Sequence, residues 1–280
     1  MTATRSALFF MFGAIGFLML LIGVFHVPPH VAALLLIGTS VSVMAYLSTK
    51  HSIIKAKLTI PQKAILIEFD FYKTLNKTER AEFERRVSYL IQDKEFMGRQ
   101  NLVVTDRMKV LIAATLAQIA FGFEFISFED FDKIIIFPKA YYSQHTGHYH
   151  KGEVNSSGII MLSWEDFLEG FRIADDGYNV GLHEIAHALR IEDAIPGNEY
   201  HFLKDSDLAV WNALAEPEYD NIRAGKPSFI RSYAGTNRQE FFAVCVEQFF
   251  EQPQDFHDTL PQLYNAMAKL LKQNPLKRKR

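Results

Sequence analysis

The segment His183-Glu184-Ile185-Ala186-His187 sets two imidazoles four residues apart with a carboxylate beside the first. On a helix that spacing puts both rings on one face, within reach of one divalent cation, and the glutamate lies where it can take a proton from water on the metal. Asn179 reads as the N-cap of such a helix, and Val180, Leu182, Ile185, Ala186 and Leu189 supply its apolar packing. A catalytic zinc site needs a third protein ligand and one open position. The longer pattern HExxHxxGxxH is not continued, because Arg190 and Asp193 stand at the places of its glycine and third histidine. An acid from another helix is the next option. Glu240 and Glu247 both qualify, since each sits in the apolar run EFFAVCVEQFFE, where a buried carboxylate needs a partner.

The elements that would position these groups follow from periodicity and punctuation. Ile60 to Leu75 has helical spacing with Pro61 in its first turn, and Asn76 with Glu79 opens a capped helix through about Phe96. Thr105-Asp106 starts an apolar helix, and Lys133–Pro138 and Gly158–Ser163 read as short strands. Helical patterns return at Trp164–Phe171, Asn179–Arg190, Ser206–Ala215, Thr236–Glu251 and Leu260–Gln273. The expected fold is a single α+β domain over residues 50–276, mostly helical with a small sheet. Between the two strands, His145, His148 and His150 form an HxxHxH cluster, read as a polar loop edging the cleft in preference to a second metal site. The Gly158–Ser163 strand is expected to accept extended peptide by strand addition.

The N-terminus has a different character. Residues 7–25 and 31–47 are uncharged and near the length of a membrane span, with the breaking sequence His26-Val27-Pro28-Pro29-His30 between them. Residues 1–49 are therefore expected to form a two-helix transmembrane hairpin. Arg5 before it, Lys50 and Lys55 after it, and a connecting loop without Lys or Arg place both ends in the cytoplasm. The expected localisation is the cytoplasmic (inner) membrane, with the domain facing the cytoplasm. The net charge of −2 over 280 residues excludes a general nucleic-acid binder, and the single cysteine, Cys245, excludes a disulfide framework and thiolate-rich zinc sites. The last four residues, 277–280, are a basic tail, frayed or in contact with anionic lipid.

The segments FYKTLNKTERAEFERRV, VTDRMKVLIAA, GIIMLSWEDFLEG, NVGLHEIAHALR and YAGTNRQEFFAVCVEQFFEQP span Phe71 to Pro253. In them the chain resembles the Mlc titration factor A family of zincin-like zinc peptidases. The resemblance implies a zincin-like domain with one Zn²⁺ per chain, held by His183, His187 and Glu240, and so chooses Glu240 over Glu247. It implies Glu184 as general base and Tyr233, seven residues before Glu240, as the group that steadies the oxyanion. A peptide or protein substrate and aminopeptidase-like activity would follow, on a membrane-tethered peptidase. The rival expectation is a non-catalytic zinc-containing module that sequesters a regulatory protein, such as a transcriptional repressor, at the membrane.

Overall fold

A computed structural model of the chain describes residues 57–124, 126–143, 147–155, 157–194 and 202–278, with positions 28, 30, 31, 34, 35, 37, 38 and 40. Its contacts divide the chain into two units, 1–55 and 56–280. In the first unit, positions 30, 31, 34, 35, 37, 38 and 40 are helical. Among the described residues, however, no helix is long and apolar enough to cross a membrane. The expected transmembrane hairpin is corrected accordingly, and the two-helix membrane localisation with a cytoplasm-facing domain falls with it. Lack of charge satisfies only the partition requirement of a span, which also needs an unbroken apolar helix of about 20 residues. Residues 7–25 and much of 31–47 lie outside the described residues.

The second unit is built mainly of helices around a small sheet. Helices α1 (Ile60–Leu66), α2 (Asp70–Thr74) and α3 (Lys77–Asp93) lead into strand β1 (Glu95–Gly98) and helix α4 (Asp106–Ile119). Strands β2 (Lys133–Phe137), β3 (Tyr141–Ser143), β4 (His148–His150), β5 (Gly152–Asn155) and β6 (Ile159–Ser163) follow. The rest comprises α5 (Trp164–Arg172), α6 (Val180–Ala194), α7 (Asp205–Arg223), a 3₁₀ turn at Ser232–Gly235, α8 (Arg238–Glu251), α9 (Pro253–Thr259) and α10 (Pro261–Leu270), with a last 3₁₀ turn at Pro275–Lys277.

Where the elements differ from expectation, tertiary packing is the cause. The helix expected over Ile60–Leu75 is broken before Asp70, because Phe69 takes an extended backbone and turns its ring into the core between Phe83 and Phe171, 6.2 and 6.0 Å away. The capped helix at Asn76 forms with both halves of its capping box but stops at Asp93. Glu95–Gly98 is instead drawn into a parallel ladder by β2. The basic tail is docked at its start: Arg278 reaches Glu79 at 3.1 Å and lies 4.8 Å from the ring of Phe71.

The sheet runs in the order β1-β2-β6-β5, with β1, β2 and β6 parallel and β5 antiparallel to β6. Ile134 and Ile136 pair with Ile160 and Leu162, and all four are at most 1% exposed. Side chains two apart on a strand share a face, so these four form one apolar surface of the sheet. Helix α6 packs against β5 and β6 with Leu182, Ile185, Ala186 and Leu189 buried. Helix α8, from Phe241 to Phe249, is buried throughout and packs along α6. The metal-motif helix is thus held between the end of the sheet and a second helix that is largely buried.

The position of β6 corrects the strand-addition expectation. Both of its sides are occupied, by β2 and β5, so Gly158–Ser163 has no free backbone edge. The terminal strand on that side of the sheet is β5.

Candidate metal centre

The site is set by how α6 and α8 begin. Asn179 caps α6, its Oδ1 accepting from the Leu182 N–H at 2.9 Å, while its own backbone N–H donates to Glu247 Oε2 at 2.6 Å. Its side-chain amide also donates to Glu251 Oε1 at 2.8 Å. One residue therefore fixes the start of the motif helix to the acidic groups of α8. At the other helix, Asn237 caps α8 by accepting from the N–H groups of Gln239 and Glu240, both at 2.9 Å. That places Glu240 in the first turn, facing the two histidines.

His183, His187 and Glu240 converge on one point. His183 Nε2 and His187 Nε2 are 3.1 Å apart, Glu240 Oε2 is 2.9 Å from the first, and Glu240 Oε1 is 3.4 Å from the second. Bonds of 2.0–2.1 Å to a tetrahedral zinc imply ligand–ligand separations of about 3.3 Å. Among the described residues this is the group of three side chains that could hold a metal ion.

The hydrogen bonding supports the same fit. His183 Nδ1 lies 2.7 Å from Glu247 Oε1, and an ionised carboxylate only accepts, so the proton sits on Nδ1. A ring neutral at Nε2 would turn that lone pair toward Glu240 Oε2, a buried oxygen without a hydrogen-bond partner of good geometry. Lone pairs facing each other at 2.9 Å require a cation between them. With a proton in that place, His183 is pushed up to about 10: burial opposes the charge, and the Glu240 and Glu247 carboxylates outweigh it. Burial also works against ionisation of Glu240, yet hydrogen bonds from His183 and His187 hold its carboxyl well below the usual range.

Glu184 and Tyr233 stand beside this group. Glu184 is 8% exposed and pushed up to about 8, chiefly by burial, with Glu240, Glu247 and Glu153 adding to the effect against His183. The Tyr233 ring centroid is 6.0 Å from that of His183, and burial together with the Glu240 and Glu184 charges pushes its hydroxyl up to about 12. All five residues expected at the site are brought together. Glu247 lies behind this group, against the far nitrogen of His183. Asp193, at the place of the third histidine of the longer pattern, instead accepts from the Leu203 N–H at 3.0 Å. His148 and His150 form the second strand of the β3–β4 hairpin, and His145 lies outside the described residues. A separate cleft of about 1070 Å³, lined by Phe69, Phe171, Asn179, Phe250 and Glu251 among others, contains none of the five.

Two residues of the site carried no sequence signal. Gly152, in the terminal strand β5, lies against the Glu184 carboxylate, where a Cβ would stand 2.4 Å from Cγ and 2.5 Å from Oε1. Arg231 pairs with Glu247 Oε1 and also donates to the Gly177 carbonyl.

The glucose-regulated metallo-peptidase M90 family matches residues 47–272. Over 222 residues the chain is 28% identical to an uncharacterized protein of Synechocystis, covering 74% of this chain and 81% of that one. Over 221 residues it is 27% identical to Mlc titration factor A of Yersinia pestis and, equally, to that of Yersinia pseudotuberculosis, covering 73% of this chain and 81% of each.

Proposed function

The chain belongs to the glucose-regulated metallo-peptidase M90 family, and from that membership we propose that it is a zinc-dependent peptidase whose metal is held by His183, His187 and Glu240. The observation that carries this reading is the convergence of two imidazole nitrogens and one carboxylate at separations of 2.9–3.4 Å. When bound, zinc supplies Lewis acidity, polarising the scissile carbonyl and lowering the pKa of water. The protein's own groups do the rest. Glu184, in its ionised form, takes a proton from the attacking water and returns it to the leaving amine. The Tyr233 hydroxyl, held protonated at neutral pH, donates to the oxyanion as it forms. Glu247 fixes the tautomer of His183 through Nδ1. The edge of β5 away from β6, unpaired among the described residues, offers backbone groups to an extended peptide, with Gly152 bringing the strand close to Glu184.

The test is zinc quantitation on the purified protein with a peptide-library cleavage profile, before and after chelation. One zinc per chain and hydrolysis that is lost on chelation and restored by zinc are expected. Hydrolysis indifferent to chelation would overturn the reading.

Gly152 supplies a sharper check. A methyl at this position must displace the Glu184 carboxylate, and misplacing a reacting group by about 1 Å costs on the order of 10²-fold in rate. Gly152→Ala should therefore keep its zinc and lower kcat by about that factor. Wild-type turnover in this variant would remove Glu184 from the proton-transfer role or Gly152 from its support.

A second reading takes its motive from the name of the Yersinia relatives, Mlc titration factor A. On that reading the domain binds a regulatory protein, such as a transcriptional repressor, without turning over peptide. Stoichiometric zinc, no cleavage anywhere in the library and a co-purifying protein would favour it over the peptidase.

A further inference from the structure

We propose that Arg231 is a positioning residue of the metal centre, joining the Glu247–His183 pair to the turn that carries Tyr233. The proposal rests on the reading that His183, His187 and Glu240 hold a metal. Glu247 is 1% exposed, and its carboxylate serves three donors: His183 Nδ1 and Arg231 at Oε1, and the Asn179 N–H at Oε2. Of these, the guanidinium alone carries a permanent charge. A carboxylate so deeply buried is costly unless paired.

The other contacts of Arg231 give it a mechanical role as well. Its second nitrogen donates to the Gly177 carbonyl, just before α6, and its guanidinium lies 4.3 Å from the ring centroid of Tyr178. Arg231 is also the residue immediately before the 3₁₀ turn Ser232–Gly235, two positions from Tyr233. One side chain thus links the segment leading into α6, the Tyr233 turn and the middle of α8. A planar fork reaches two acceptors while stacking on an aromatic face; a lysine ammonium is a point charge that cannot reproduce all three contacts.

The test compares wild type, Arg231→Met, Arg231→Lys, Glu247→Gln and the double variant Arg231→Met/Glu247→Gln in the full chain. The readouts are the zinc dissociation constant by chelator competition, thermal unfolding of the metal-free protein, and kcat. Loss of a group supporting a metal ligand weakens metal binding by about 10–100-fold. Arg231→Met is expected to fall in that range, and Arg231→Lys to recover part of the loss. The double variant should be no weaker than Arg231→Met, since both changes interrupt one interaction. Should Arg231→Met fail to fold, weakened zinc binding in a folded Arg231→Lys carries the test. Wild-type zinc affinity in the folded Arg231 variants, or losses that simply add in the double variant, would overturn the proposal. A wild-type protein that binds no zinc would instead overturn the metal reading on which it rests.

Discussion

Glu184→Gln should leave zinc at one per chain and lower peptide hydrolysis by about 10²–10⁴-fold, the contribution of a positioned general base. The change conserves shape, which matters because the carboxylate is buried against the backbone of Gly152, with little room for a different side chain. It removes proton affinity and one negative charge. An amide cannot accept a proton from water, so the loss belongs to kcat. Metal retention is expected because the three converging groups are His183, His187 and Glu240, and none of them is changed. Zinc stoichiometry and single-turnover rates on one peptide check the two halves separately. Unchanged turnover would dismiss Glu184 as the base. Loss of zinc would show that its charge, rather than its basicity, is what the site uses.

The parts of the site that sequence alone could locate are those whose geometry is local. His183, Glu184 and His187 lie within one helical turn and a half, so their arrangement follows from helix periodicity with no knowledge of the fold. Glu240 is another matter. Residues seven apart complete nearly two turns and face the same side, which is why Glu240 and Glu247 could not be separated by pattern. The structure shows both facing His183 and contacting opposite nitrogens of its ring, at 2.9 Å from Nε2 and 2.7 Å from Nδ1. The ring bridges two acids on one face of α8, Glu240 at the nitrogen nearest His187 and Glu247 at the other. Strand β5 was hidden for a different reason. Its sequence Gly152-Glu153-Val154-Asn155 has little strand propensity and is extended because it pairs with β6. Gly152 and Arg231 had no signal, since a glycine in a loop-like segment and an arginine before a turn are ordinary until their neighbours are known. At the N-terminus, hydropathy alone points to a membrane hairpin, but apolar composition does not itself specify an unbroken helix of spanning length.

Glu240→Ala is expected to have the larger effect on the metal itself. A catalytic zinc has three protein ligands, and removing one leaves two imidazoles from a single helix. The loss should exceed the roughly 10–100-fold cost of removing a supporting group, and Glu247→Gln provides that benchmark in the same protein. Electrostatics points the same way. Burial works against ionisation of Glu240, yet with protons on the facing nitrogens of His183 and His187 its carboxyl is held well below the usual range. Without it, the two imidazole nitrogens 3.1 Å apart lose the anion that offsets a cation placed between them. Folding should survive, because Glu240 lies in the first turn of α8, whose packing is carried by Phe241, Phe242, Val244 and Phe249. The measurement is zinc affinity by chelator competition for wild type, Glu240→Ala and Glu247→Gln, alongside unfolding of each metal-free protein. The expected order of affinity is wild type, then Glu247→Gln, then Glu240→Ala. The reverse order for the two variants would exchange the roles of the two acids, making Glu247 the ligand and Glu240 its support.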